Sequence, residues 1–349
     1  MSYYDCNIYQ NDLNEAIKSV IGIEKLKNSS IMITGASGLI GSYIVDILMK
    51  YNKNDNANIK VYALGRSKTK LNNRFSDIKT DMLKYIEHDV NCEPDFDYKI
   101  NYIIHAASNA YPAAFNNDPV GTILSNIQGT KLMLDYAKKH LADRFLFVSS
   151  GEVYGQGDIL LDSFKEDYSG YVDIMQPRFC YPLSKRTAEN LCYSYTKQFG
   201  LDTVIVRPCH SYGPNVSKSD NRASVQFVNN ALKGEDIVMK SSGSQLRSYC
   251  YIADCASAIL TVLINGKKCE AYNIANSNVK VTIAQFAQIV AKQSGNRVVF
   301  SVPNSLELEQ QTPIAKQVLN AEKLENLGWR GRFGIEEGIK HTLSVLKES

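Results

Sequence analysis

The chain has 349 residues, 44% hydrophobic and 21% charged, with a formal net charge of +3 at pH 7. This profile excludes disordered and collagen-like classes and leaves length for a full core plus a second small domain. The small positive excess does not point to nucleic acid and does not oppose an anionic small substrate. No apolar run approaches the roughly 20 residues that span a bilayer, and the opening MSYYDCNIYQNDLNEAIK is too polar for a secretory signal, so a cytoplasmic protein without membrane attachment is expected. Cys6, Cys92, Cys180, Cys192, Cys209, Cys250, Cys255 and Cys269 show no CxxC pair and no histidine at metal-ligand spacing, so they are expected to be reduced and packed, with no metal site.

In chain order, residues 1–28 read as an N-terminal helical extension, with Leu13, Ile17, Val20 and Ile21 at helical spacing. From Ile31 onward, short apolar runs alternate with amphipathic stretches. IMITGA, KVYALG, YIEHDV, YIIHAA, RFLFVSS and TVIVRP read as strands, and 39–50, 121–140 and 182–199 as helices. That alternation predicts an α/β fold, a doubly wound parallel sheet of Rossmann type, with ligands at the carboxyl ends of its strands. After Arg207 come the loop-rich SYGPNVSKSDNR, a helix near 223–233, a helix after Asp254, the strand YNIAN, a helix near 282–293, VVFSVP and a final helix near 335–347. The expected division is a dinucleotide-binding domain over 29–208 with 248–276 returning to it, and a smaller substrate-binding lobe from 209–247 and 277–349.

The strand IMIT runs into Gly35, Ala36, Ser37, Gly38, Leu39, Ile40 and Gly41 and then into a helix. Glycines at a strand-to-helix turn let a diphosphate approach the backbone, and the helix N-terminus offers N–H donors to it. The second strand ends on Gly65, Arg66 and Ser67 where an NAD enzyme usually places an acid. An arginine there suits a 2′-phosphate and favours NADP over NAD, although Arg66 could also stack on adenine. Asp89 and Val90 close the third strand, placed to touch adenine, and Ala106, Ala107 and Ser108 follow the fourth.

Tyr181 and Lys185 lie four residues apart on one predicted helix, which puts phenol and ammonium on one face. A neighbouring Lys⁺ is expected to lower the tyrosine pKa, so that the phenolate takes a hydroxyl proton while hydride leaves the same carbon, with Ser150 sharing the proton.

At these residues the sequence resembles the extended short-chain dehydrogenase/reductase family, in its nucleotide-sugar epimerase, dehydratase and decarboxylase branch. The matching segments are TGASGLIG at 34–41, HAAS at 105–108, NIQGT at 126–130, SSGEVYG at 149–155, CYPLSK at 180–185, RPCHSYGP at 207–214, RSYCYIAD at 247–254 and LGW at 327–329. The stretch PRFCYPLSKRTAENLCYSY at 177–195 looks most like UDP-glucuronate decarboxylases. The resemblance implies a nucleotide-diphosphate sugar substrate, Asn126 at the cofactor, Glu152 as active-site glutamate, and Arg247 and Arg222 as substrate-contacting cations. It also implies a homodimer paired through 121–140 and 182–199.

Four positions depart from the pattern. Gly151 stands where dehydratases carry an aspartic acid and decarboxylases a serine; His210 replaces an asparagine, its ring expected to serve the diphosphate or else to pack in a loop; Lys316 and Asn320 replace an arginine and an aspartate. Without the Gly151-position acid, an epimerase is expected, a decarboxylase is the alternative, and a dehydratase or a cofactor-binding scaffold without turnover stands behind them.

Overall fold

β-Branched and aromatic runs form seven parallel strands: β1 (Ser30–Thr34), β2 (Lys60–Gly65), β3 (Leu83–Glu87), β4 (Tyr102–His105), β5 (Arg144–Val148), β6 (Thr203–Pro208) and, late in the chain, β10 (Ala271–Ile274). They lie in the order β3-β2-β1-β4-β5-β6-β10, with every pairing parallel. The order reverses between β1 and β4, the crevice where open α/β sheets bind ligands. The computed structural model describes residues 3–216, 220–303 and 314–348; part of the loop-rich stretch after Arg207, residues 217–219, lies outside them.

The period of two along β1 divides the core. Ile31 and Ile33 pack with α2 (Leu39–Asp55) and α8 (Ile252–Asn265) on one face. Met32 faces α5 (Pro119–Lys139) and α6 (Cys180–Phe199) on the other. Strands buried on both faces read as near-continuous apolar runs, which is why they were legible. Seven of the eight cysteines are at least partly buried and all eight are unpaired. Among the described residues no helix is long and apolar enough to cross a membrane.

The N-terminal extension is helical over α1 (Asn7–Ser19), then turns at Gly22, φ +79°, into a short 3-10 helix over Ile23–Leu26. It packs on α2 and α8, burying Tyr9, Leu13 and Ala16. The third strand stops at Glu87, so Asp89 and Val90 sit in the following loop, where the Asp89 carboxylate accepts the Asn91 amide at 3.0 Å and turns the chain. A helix that periodicity did not reveal, α3 (Lys68–Arg74), is only two turns long and is capped by Ser67. The next is α4 (Pro112–Asn117). The helix placed after Asp254 starts at Ile252; Asp254 lies in its first turn, buried, and accepts the Arg332 and Phe333 amides at 2.9 and 3.0 Å.

The second lobe uses β7 (His210–Tyr212), α7 (Ala223–Leu232), β8 (Ile237–Met239), β9 (Leu246–Tyr251), β11 (Lys280–Thr282), α9 (Ile283–Ser294), β12 (Val298–Phe300) and β13 (Lys316–Gln317). In it β9 pairs with β7, β11 and β13, while β12 pairs with β8. Two last helices follow, α10 (Glu322–Glu325) and α11 (Ile335–Glu348).

Candidate active site

A cavity of about 670 Å³ opens at the carboxyl ends of β1, β4 and β5, between the large sheet and the second lobe. Its floor is the glycine turn. Gly35 has φ +68°, and a Cβ there would lie 2.8 Å from the Ala106 carbonyl; a Cβ on Gly41 would lie 2.5 Å from the Gly35 carbonyl. Only glycine fits either place, and the backbone is thereby left bare beside the N-terminus of α2. The next strand end is tied to this turn by Thr34, whose hydroxyl accepts the Ala106 and Ala107 amides at 3.1 Å each. That hydroxyl must then donate to His105 Nδ1, 2.8 Å away, and burial, pushing His105 down to about 3, keeps the ring neutral for that role. This bare, dipole-facing cradle fits a dinucleotide diphosphate; Gly35, Gly38, Leu39, Ile40, Gly41, Ala106 and Ser108 line it.

Other residues expected at the cofactor stand around this cavity rather than on its wall. Ser37, Ala107 and Asn126 are not on the cavity wall. Asn126 is buried and braces it, accepting from Ser108 Oγ at 2.8 Å and donating to Ser184 Oγ at 3.0 Å. Arg66 and Ser67 lie beyond the end of β2, Arg66 exposed. Val90 packs so closely on α5 that a Cβ on Gly129 would come within 2.9 Å of it.

The catalytic candidates converge. β5 ends at Val148, and Ser150 caps a 3-10 turn over Gly151–Tyr154 by accepting the Glu152 amide at 3.1 Å. That turn is fixed from behind, since Arg186 donates to the Val153 carbonyl at 2.7 Å and Arg207 donates to the Tyr154 hydroxyl at 2.9 Å. Tyr181 from the first turn of α6 and Lys185 from the second reach the same cavity as Ser150. Phe115 stacks on Tyr181 at 4.5 Å between ring centroids.

The tyrosine is not lowered as expected. Burial under Phe115, reinforced by the Glu152 charge, pushes its phenol up, against the opposing pull of Ser150 and Arg222. Lys185 is turned aside, its Nζ donating to the Val148 carbonyl at 2.8 Å and lying 5.8 Å from the Tyr181 ring centroid. Its own burial pushes it down to about 7.

Arg222, Arg247, His210 and Glu152 all reach the cavity from separate elements. Arg222 forks onto Asp220, with bonds of 2.9 and 2.6 Å to Oδ2. Arg247 is 2% exposed, donates to the Leu246 and Ile314 carbonyls, and is pushed down to about 10 by burial. His210 faces Arg247, Arg222 and Arg178; burial and those guanidiniums hold its ring well below the usual range, with Nδ1 unpartnered. Lys316 and Asn320 stand off the wall and secure the 159–164 loop, Lys316 donating to the Ile159 carbonyl at 3.3 Å and Asn320 to Ser163 at 3.4 Å.

Sequence reasoning missed Arg178, whose guanidinium spans both Glu152 oxygens at 3.4 Å. It lies in a 3-10 turn over Pro177–Phe179 just before α6, where helical spacing gave no signal. Phe115 and Tyr249, also on the wall, carried none either.

Against known proteins, the profile described as the NAD dependent epimerase/dehydratase family matches residues 31–275. UDP-glucuronic acid decarboxylase 6 of Arabidopsis thaliana is 32% identical over 312 residues, covering 89% of this chain and 87% of that protein. Among solved structures, a dTDP-glucose 4,6-dehydratase from Streptomyces venezuelae with NAD bound superposes with a TM-score of 0.77 at 22% identity, over 92% of this chain and 97% of that one. A UDP-glucuronic acid 4-epimerase from Bacillus cereus, in complex with UDP-glucuronic acid and NAD, gives 0.76 at 21% identity, over 91% and 99%. With its parallel sheet, its glycine cradle and a match over most of its length, this chain belongs to the NAD dependent epimerase/dehydratase family.

Proposed function

We propose that the protein epimerises the sugar of a nucleotide-sugar through transient oxidation at C4 and return of the hydride, without net redox change. The observation that carries this reading is the convergence of Ser150, Tyr181, Lys185 and Glu152 at the rim of the glycine cradle, with no acid at position 151. A nicotinamide bound there supplies hydride acceptance and return. Tyr181, on the same cavity wall as Ser150, is placed to take the C4 hydroxyl proton and give it back. Burial raises the phenol, and positive charge brought near the ring would favour transfer of its proton. Arg222, Arg247 and His210 would bind the diphosphate and hold the sugar end. Glu152 is positioned as a base for a carbon acidified by the new ketone.

Gly151 bears on the choice of reaction. A Cβ there would lie 3.1 Å from Leu319 Cδ1 and 3.4 Å from the Pro208 carbonyl, so a proton donor at this position would require Leu319 to give way slightly. Decarboxylation of a uronic acid sugar is the second reading, favoured by the likeness to plant UDP-glucuronic acid decarboxylase. For the cofactor, Arg66 in place of an acid at the end of β2 favours NADP, within a family described as NAD dependent. A homodimer through α5 and α6 is supported by exposed Val120, Leu124 and Tyr193 on those helices.

The test uses nucleotide-sugars labelled with deuterium at C4. Epimerisation or decarboxylation returns the label to C4 with no accumulation of reduced cofactor. Label at C6 of a deoxy sugar would make the enzyme a dehydratase, and stoichiometric reduced cofactor would make it a simple dehydrogenase; loss of carbon dioxide decides for the second reading.

A further inference from the structure

Three guanidiniums, Arg178, Arg222 and Arg247, face two carboxylates, Glu152 and Asp220, across the cavity. Asp220 is held by the close fork of Arg222. Arg178 and Glu152 differ from that pair. Both contacts are 3.4 Å, well outside the 2.7–2.9 Å of a tight charge-assisted bond. The Arg178 side chain is only 10% exposed, yet its Nε is buried without a partner. A buried guanidinium that is loosely held and incompletely satisfied is poised to exchange one anion for another, because the incoming anion repays a desolvation already incurred.

The neighbours of Glu152 bear on this exchange. Its charge acts on Tyr181, on the Cys180 thiol and on Arg247, while Arg178 in turn acts on His210 and Arg247. Arg247 has backbone carbonyls as hydrogen-bond acceptors rather than the glutamate. Arg178 is therefore the cation that holds the carboxylate in place beside the phenol.

We propose that Arg178 is a positioning residue for Glu152: its fork parks the carboxylate while the cavity holds no substrate, and an anionic substrate group that takes over the fork frees the carboxylate to act as a base. The role of that base rests on the proposed function; the fork and its exchange do not. The incoming group is an oxyanion, either a sugar carboxylate or the diphosphate.

Protein carrying ¹³C-labelled glutamate, with the Glu152 carboxyl signal assigned by its loss in Glu152→Gln, reads the fork directly. At one fixed pH the Glu152 carboxyl signal should move from its wild-type position in Arg178→Gln, and by less in Arg178→Lys, because a cation that can still contact the carboxylate is retained. Coincident signals in wild type and Arg178→Gln would overturn the fork. Thermal melting and cofactor binding check that both variants fold. At concentrations that saturate binding, movement of the wild-type Glu152 signal by UDP-glucuronate but not UDP-glucose assigns the exchange to a sugar carboxylate, and movement by both assigns it to the diphosphate. Binding without movement by either overturns the exchange. Absence of turnover on every nucleotide-sugar would remove the proposed reaction and leave the fork and its exchange in force.

Discussion

Leu319 crowds the place where a side chain at Gly151 would begin, its Cδ1 standing 3.1 Å from the Cβ position. The glycine between Ser150 and Glu152 is thus matched to a leucine brought from the second lobe. Gly151→Ser should destabilise the protein by about 1–3 kcal/mol through overpacking. Adding Leu319→Ala should relieve part of that loss, beyond the sum of the two single variants. Thermal or denaturant melting of the double-mutant cycle measures the coupling; strict additivity would show that the two positions do not compete for space.

Tyr181→Phe should lower turnover by at least about 100-fold while leaving cofactor binding intact, because it removes the proton-transfer group and keeps the ring that stacks on Phe115. Kinetics beside a cofactor-binding titration check this. Retention of more than about a tenth of wild-type turnover would remove the phenol from the reaction.

Lys185 gives a pH signature. Burial brings it down to about 7 in the folded protein, whereas an unfolded lysine titrates near ~10.4. Between these values the unfolded chain binds more protons, so this group makes stability rise with pH across that window. Lys185→Met should flatten the rise and abolish turnover. Melting temperatures of the cofactor-free proteins, from about pH 7 to about pH 10, report the difference.

The N-terminal helix is pinned to the second lobe by buried Asp12, which accepts the Tyr251 hydroxyl at 2.6 Å and pairs with His341 Nδ1 at 2.9 Å. The hydrogen bond to Asp12 raises the His341 pKa. Its charged contribution is therefore full below the unfolded value of ~6.5 and is lost as pH rises through the folded one. His341→Gln should cost about 1 kcal/mol near pH 6 and less near pH 9, read from paired denaturant melts.

Arg66 tests cofactor choice. Arg66→Ala should weaken NADP by about tenfold or more and NAD by less, since only NADP carries the 2′-phosphate that a guanidinium can fork. Equal losses for the two cofactors, measured by fluorescence titration, would show that Arg66 packs on adenine.

Local rules sufficed for the parallel sheet, the glycine turn, and the Tyr181 and Lys185 pair. Doubly buried strands are continuous apolar runs, close approach demands glycine, and residues four apart share a helix face. The same rules were blind to α3, too short for a period, and misplaced Asp89 and Val90, which a side-chain turn takes out of the strand. They also misjudged the phenol. Spacing alone put an ammonium beside it, but the fold turns Lys185 onto the Val148 carbonyl and sets Glu152 against Tyr181. Packing across the lobes likewise set Leu319 against Gly151, Arg178 against Glu152, and His341 against Asp12. The last pair stands 329 residues apart in the chain. Such pairings come from tertiary packing, because no periodicity in the chain records which charges share one low-dielectric cavity or which side chains compete for the same space.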